Sequence, residues 1–203
     1  MKEKELLSKY LPAGSVDLVM DWIMENNVHL KITKKRNTKF GDYRPPNSKN
    51  PNHRVSINHN LNPYAFLITF VHEIAHLLVW KKHKNKVAPH GSEWKLVYRD
   101  LMSPILTQNI FPDDINNILI KSIVNSKASS SSDLKLSRIL KKYDQGPTET
   151  HLEDLNENSY FQTLAGVIFI KGEKRRTRFL CTNTHNNKQY LFHPLTPVKE
   201  VSV

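Results

Sequence analysis

The chain has almost no cysteine and no long, uninterrupted run of apolar residues. Among its 203 residues there is one cysteine, Cys181. A single cysteine excludes an intramolecular disulfide and a zinc ribbon with several cysteine ligands, and it fits a reducing cytoplasm. No run of eighteen apolar residues is free of charge or histidine, and the N-terminus, Met1–Glu5, lacks the apolar core of a signal peptide. We therefore expect neither a membrane span nor export.

Negative charge is also scarce. The chain contains nineteen Asp and Glu and thirty Lys and Arg, which gives a formal net charge of +11. Such a basic chain favours polyanions, of which nucleic acid is the most obvious, although the charge would also serve solubility alone. The cations concentrate in Lys31–Arg44 and Lys171–Arg178, where neighbouring aromatic residues could stack on bases or could face the core of a hairpin. The candidate nucleic-acid contacts are Lys34, Lys35, Arg36, Lys174, Arg175, Arg176 and Arg178.

The most informative pattern is His72-Glu73-Ile-Ala-His76, within the apolar stretch 64–80. On a helix, histidines four residues apart leave the same face and can bind one zinc ion. Glu73 can then hold a zinc-bound water as the general base. A helix that is apolar nearly all round is buried, and Asn62 or Pro63 can begin it. Burying these polar groups is costly unless they are paired or bound to a metal. The alternative to a metal site is that the histidines are hydrogen-bonded core residues and that Glu73 pairs with a nearby lysine.

His83 and His90 are the nearest candidates for a third ligand. If the helix continues, His83 lies about 10 Å along its axis from His76, too far to share a metal ion. His90 lies beyond the helix, where a loop can return it to the metal, and Gly91 would allow an unusual backbone angle there. Three histidines and one water form the open arrangement of a catalytic zinc site. We predict one zinc ion held by His72, His76 and His90. The alternative for His90 is a solvated histidine in a loop.

Periodicity and turn residues predict an α+β protein. Ser92 is the predicted N-cap of a helix over 92–101, and residues 184–187 suit a hairpin turn. The other predicted helices are 3–10, 15–26, 64–80, 112–125 and 133–143, and the strands are 28–33, 39–44, 54–58, 163–171, 176–182, 188–193 and 198–203. The serine-rich segment 126–132 reads as a flexible junction. We therefore predict a catalytic domain (1–125), a linker with a short helix and an acidic loop (126–159), and a small basic β module (160–203).

Two longer stretches resemble the SprT-like (SprT/Spartan) zinc metalloproteases. They are Phe70-Val-His-Glu-Ile-Ala-His-Leu77 and Pro89-His-Gly-Ser-Glu-Trp94, preceded by Phe40-Gly-Asp-Tyr43 and Arg54-Val-Ser-Ile-Asn58. The resemblance covers most of residues 10–110 and implies a zincin-like domain with the metal-binding helix in its core. It also implies that His72, His76 and His90 are the zinc ligands and that Glu73 is the catalytic glutamate.

The best-understood members of this family are DNA-dependent proteases that degrade proteins crosslinked to DNA. The resemblance therefore implies a protein substrate, single-stranded or damaged DNA as a partner, and a cytoplasmic location, on the nucleoid in a bacterium; a monomer is assumed. Many members carry a four-cysteine zinc ribbon after the catalytic domain, whereas residues 166–203 keep only Cys181. The resemblance therefore does not imply that this chain binds DNA through a zinc ribbon. A zinc-stabilised, non-catalytic DNA-binding or adaptor protein and a DNA-independent zinc peptidase remain alternatives.

Overall fold

The protein is a mixed helix and sheet (α+β) structure with two compact units. The computed structural model describes residues 2–36, 38–124, 134–145 and 149–202. The first unit comprises residues 1–145 and the second comprises residues 146–203. The boundary lies inside the segment predicted as a linker, and the helix predicted there belongs to the first unit. The predicted flexible junction at 126–132 lies outside the described residues.

A three-stranded sheet and six helices make up the described part of the first unit. Strand β3 is central, parallel to β1 and antiparallel to β2, so β2 is an edge strand. The elements are α1 (Lys2–Leu7), α2 (Val16–Glu25), β1 (Val28–Thr33), β2 (Gly41–Arg44), β3 (His53–Asn58), α3 (Pro63–His83), α4 (Ser92–Thr107), α5 (Asp113–Val124) and α6 (Leu134–Lys141).

Helix α3 is the core helix of this unit. It begins as predicted, because the Asn62 side chain accepts a hydrogen bond from the Ala65 N–H at 2.9 Å and Pro63 occupies the first turn. By length and composition alone α3 could cross a membrane, but 56% of its most apolar stretch of 18 residues is buried inside the protein. Phe66, Phe70 and other side chains on several sides of α3 are fully buried, as expected of a helix that is apolar nearly all round.

Helix α4 differs from its prediction at both ends. Its N-cap is Gly91 rather than Ser92, whose hydroxyl lies 3.0 Å from the carboxylate of Glu93, so the predicted cap is wrong. The helix also continues beyond its predicted end, through Pro104. Met102 and Ile105 are buried in the core, which stabilises this extension. Tertiary packing therefore outweighs the helix-breaking tendency of proline.

The second unit is a five-stranded antiparallel sheet with strand order β7-β6-β5-β4-β8. The strands are β4 (Tyr160–Thr163), β5 (Ile168–Arg175), β6 (Arg178–Asn183), β7 (Gln189–Phe192) and β8 (Val198–Val201). The single strand predicted over 163–171 is wrong, since the chain turns between β4 and β5 with Gly166 at φ +82°. The hairpin turn predicted at 184–187 does join β6 to β7.

A buried lysine crosses the core of the second unit. Lys171 is only 4% exposed, and its ammonium group donates hydrogen bonds to the carbonyls of Leu155 and Glu153. It also lies 4.2 Å from the centre of the Phe179 ring. Burial lowers the pKa of this ammonium group. Cys181, opposite Lys171 on the paired strand, is fully buried as a small core residue.

Candidate metal centre

Helix α3 presents two of the three predicted ligands. His72 and His76 are four residues apart, so their rings leave the same face one turn from each other. Their Nε2 atoms are 3.1 Å apart and their ring centres 4.9 Å apart. The neighbouring residues Val71, Ile74 and Ala75 are fully buried. The packing of α3 therefore fixes the direction in which both imidazoles point.

The loop between α3 and α4 supplies the third histidine. The Nε2 atom of His90 lies 3.0 Å from that of His76 and 3.0 Å from that of His72. His90 has φ +58°, a left-handed conformation that is uncommon for residues other than glycine. A Cβ atom on Gly91 would approach the Ala88 carbonyl oxygen to 3.0 Å, so the turn leaves little space for a larger residue. The structure thus brings the three predicted ligands together.

The three nitrogens have the spacing that a tetrahedral metal requires. Ligands at 2.0–2.1 Å from one zinc ion would lie about 3.3 Å from each other, and the observed separations are 3.0–3.1 Å. Three nitrogens this close would repel one another unless protons or a cation lie between them. Among the described residues, His72, His76 and His90 form a group that could hold a metal ion.

The protonation of the three rings also suits a metal. Burial, followed by the neighbouring His76 and His90, lowers the pKa of His72 to about 3. Burial and then His90 lower the pKa of His76 to about 4, and burial lowers the pKa of His90. The rings are therefore neutral near pH 7 and can offer the lone pairs that a metal ion binds.

Trp94, on α4, packs against all three histidines. Its ring centre is 4.7 Å from that of His72, 5.4 Å from His76 and 4.8 Å from His90. The indole also stacks on Tyr98, with ring centres 4.8 Å apart and planes 11° apart. Trp94 is 1% exposed, and within the described part of the chain its indole N–H has no hydrogen-bond partner. Its contribution is therefore packing, which holds the three imidazoles in place.

Glu73 lies beside the cluster in a nearly closed environment, with 7% of its surface exposed. Burial and then the charge of Asp42 raise its pKa to about 7, although a hydrogen bond from the backbone N–H of Tyr43 and the charges of Arg36 and Lys39 act in the opposite direction. The carboxyl group is therefore close to half-ionised at neutral pH, which is the range in which a group can both accept and return a proton.

Gly41 allows strand β2 to approach Glu73 this closely. A Cβ atom at position 41 would lie 2.5 Å from Glu73 Oε1 and 2.7 Å from Thr69 Cγ2. The predicted site residues include neither Gly41 nor Trp94, whose roles depend on contacts between distant segments. The available signals were the positions of Gly41 within Phe40-Gly-Asp-Tyr43 and of Trp94 within Pro89-His-Gly-Ser-Glu-Trp94, and the scarcity of glycine, with six in the chain.

The candidate nucleic-acid residues lie in both units and have different environments. Lys34 and Lys35 are exposed after β1, and Lys174, Arg175, Arg176 and Arg178 are exposed on the hairpin between β5 and β6. Arg36 donates hydrogen bonds to Asn58 at 2.7 Å, to Ser56 at 3.0 Å and to the Phe40 carbonyl at 3.2 Å. A role in holding the chain before β2 against β3 is better supported for Arg36 than a phosphate contact.

Comparison with known proteins links part of this chain to one family. The sequence profile of the SprT-like family matches residues 16–114, which contain the whole histidine cluster. Protein SprT of Escherichia coli (strain K12) is 52% identical over 42 residues, 20% of this chain and 25% of that protein. Protein SprT of Shigella boydii serotype 18 has the same identity and coverage. Protein SprT of Erwinia tasmaniensis is 52% identical over 42 residues, 24% of its own length.

The matched segment thus spans about a quarter of the length of these relatives. No solved structure matches the chain.

Proposed function

The chain belongs to the SprT-like family through residues 16–114, and from this membership and the site geometry we propose that it is a zinc-dependent metalloendopeptidase. The observation that carries the proposal is the cluster of three Nε2 atoms, each 3.0–3.1 Å from the other two, with Glu73 on the helix turn between His72 and His76. His72, His76 and His90 are the proposed ligands, and Glu73 is the proposed general base.

His72, His76 and His90 would hold the zinc ion, and three protein ligands is the number found in catalytic zinc sites. A zinc ion held there would lower the pKa of an attacking water towards 7 and would polarise the carbonyl of the cleaved peptide bond. Glu73 would take a proton from the water and pass it to the leaving amine. The backbone N–H of Tyr43 donates to the Glu73 carboxylate and orients it. Trp94 keeps the ligand rings in place throughout.

We further propose that the substrates are proteins associated with or crosslinked to DNA. Support comes from the net charge of +11 and from the exposed cations on the β5–β6 hairpin, namely Lys174, Arg175, Arg176 and Arg178. The hairpin is a surface on which cations could follow a phosphate backbone. Complete burial of Cys181, the single cysteine, is compatible with the proposed cytoplasmic location.

One assay separates this function from its alternatives. The zinc-loaded protein and its Glu73→Gln variant are incubated with a DNA-binding protein, with and without single-stranded DNA, and the products are followed by gel and mass spectrometry. We expect DNA-stimulated cleavage by the wild type, a loss of at least about a hundredfold in the variant, and equal zinc content in both. Cleavage that DNA does not change would indicate a DNA-independent peptidase. Bound zinc and bound DNA without cleavage would indicate a non-catalytic binding protein.

A further inference from the structure

A cavity of about 340 Å³ lies next to the histidine cluster in the first unit. His76, His90 and Trp94 line the side of the cavity that adjoins the cluster. A peptide whose cleaved bond lies at the cluster would therefore place a neighbouring side chain in or beside this space. The chemistry of the other walls decides which side chain that is.

The remaining walls are mainly apolar. Helix α3 contributes Val79 and Trp80, the loop before His90 contributes Val87 and Pro89, and β2 contributes Tyr43. These side chains come from three separate segments of the first unit. The cavity is consequently an open cleft formed by the first unit alone.

Two of the polar groups around the cavity already make contacts within the protein. The hydroxyl group of Tyr43 lies 2.9 Å from Nδ1 of His53, and His53 in turn packs edge-on against Trp80 with ring centres 5.5 Å apart. The ammonium group of Lys84 lies 3.9 Å from the centre of the Trp80 ring. Asn85 is a further polar residue of the lining. Because most of the walls are apolar, a polar or charged substrate side chain would lose water here with few groups to replace it.

We propose that this cavity selects a large apolar side chain, such as Phe, Leu or Met, in the substrate residue next to the cleaved bond. The proposal rests on the proposed peptidase function and names the substrate feature that it recognises. Specificity comes from Tyr43, Trp80 and Val87, which bound the space. Replacing a large apolar side chain by alanine should weaken binding at least about tenfold, because several methylene groups lose their apolar surroundings.

Binding measurements test the cavity independently of cleavage. The zinc-loaded Glu73→Gln variant is titrated with fluorescent peptides that differ at one position, which carries Phe, Leu, Ala, Asp or Lys and is moved along the sequence. Val87→Phe in the same background would fill the cavity from a partly exposed loop. Val167→Phe, in the turn between β4 and β5 of the second unit, is the matched control, since it makes the same chemical change at an exposed position.

We expect Phe and Leu peptides to bind at least about tenfold more tightly than Ala, Asp or Lys peptides at one position. Val87→Phe should abolish this preference with zinc content unchanged, whereas Val167→Phe should keep it. The preference in binding with no cleavage by the wild type would support the cavity and overturn the peptidase function. Wild-type cleavage without a preference, or a preference that survives Val87→Phe, would overturn the cavity and leave the peptidase function intact. Neither binding nor cleavage would overturn both.

Discussion

Glu73 has room for its carboxylate only because residue 41 is glycine. A Cβ atom there would lie 2.5 Å from Glu73 Oε1, well inside contact distance. We predict that Gly41→Ala displaces Glu73 or strand β2, lowering peptide hydrolysis at least about tenfold and the free energy of unfolding by about 1–3 kcal/mol. The zinc content should be unchanged, because the atoms nearest to a Cβ at position 41 belong to Glu73 and Thr69 and not to a histidine.

The measurements are hydrolysis rate, bound zinc and urea unfolding. Thr38→Ala, at an exposed position shortly before β2, is the control and should behave as the wild type. If Gly41→Ala kept full activity, the close approach of β2 to Glu73 would have no part in positioning the carboxylate.

The lowered pKa values of the ligand histidines predict how stability depends on pH in zinc-free protein. Unfolded histidines take up protons near pH 6.5, whereas His72 and His76 in the folded protein stay neutral to about pH 3 and 4. Between these pH values the unfolded state binds more protons than the folded state. The contribution of the two histidines to the free energy of unfolding therefore falls as the pH falls below about 6.5, and it is constant at higher pH. Each unit of pKa difference corresponds to about 1.4 kcal/mol, so the shifts of the two histidines together are of the order of the stability of a whole domain.

Melting temperatures in the presence of a chelator, from neutral to acidic pH, provide the measurement. The double variant His72→Asn, His76→Asn should show a shallower decline than the wild type, while the carboxylates titrate equally in both. Zinc should raise the melting temperature at neutral pH and lose this effect in acid, since protonated ligands release the metal. Parallel declines in the wild type and the double variant would contradict the prediction.

For the helices and strands, features that depend on neighbouring residues could be predicted from the sequence, whereas packing between distant segments could not. The start of α3 follows from Asn62 and Pro63, which act within one helical turn, and the pairing of His72 with His76 follows from helical periodicity. The turn at Gly166 between β4 and β5 was missed because apolar residues lie on both sides of it. The packing of Trp94 against the histidines was missed because it depends on the relative placement of α3 and α4, which no local pattern specifies.

Asn62 also joins two elements, which gives it a larger effect than an ordinary cap. Its side-chain Oδ1 accepts from the Ala65 N–H at 2.9 Å, and its side-chain Nδ2 donates to the Leu140 carbonyl at 2.8 Å and to Asp144 at 2.6 Å. Asn62→Ala should therefore lower the free energy of unfolding by about 1–3 kcal/mol, more than loss of one cap alone. Urea unfolding measures this, with the exposed Asn60→Ala as control. Equal unfolding midpoints for the two variants would contradict it.

At the scale of the whole molecule, the proposed chemistry and the densest exposed charge are in different units. The histidine cluster lies in residues 1–145, whereas the hairpin that carries Lys174 to Arg178 lies in residues 146–203. Each unit has its own apolar core. Charge on the hairpin can therefore be changed without altering the apolar core of the first unit, so DNA binding and peptide hydrolysis can be measured as separate properties.

Lys174→Ala with Arg176→Ala removes two exposed cations from the hairpin. If both contact phosphates, affinity for a single-stranded oligonucleotide should fall, and the slope of log affinity against log salt should decrease by about 1.4, at about 0.7 for each contact. Lys9→Ala with Lys121→Ala makes the same change in net charge at exposed positions of the first unit and should leave the slope nearly unchanged. Hydrolysis of a DNA-free peptide should be the same in all three proteins. Equal salt slopes for the two double variants would mean that overall charge, and not the hairpin, attracts DNA.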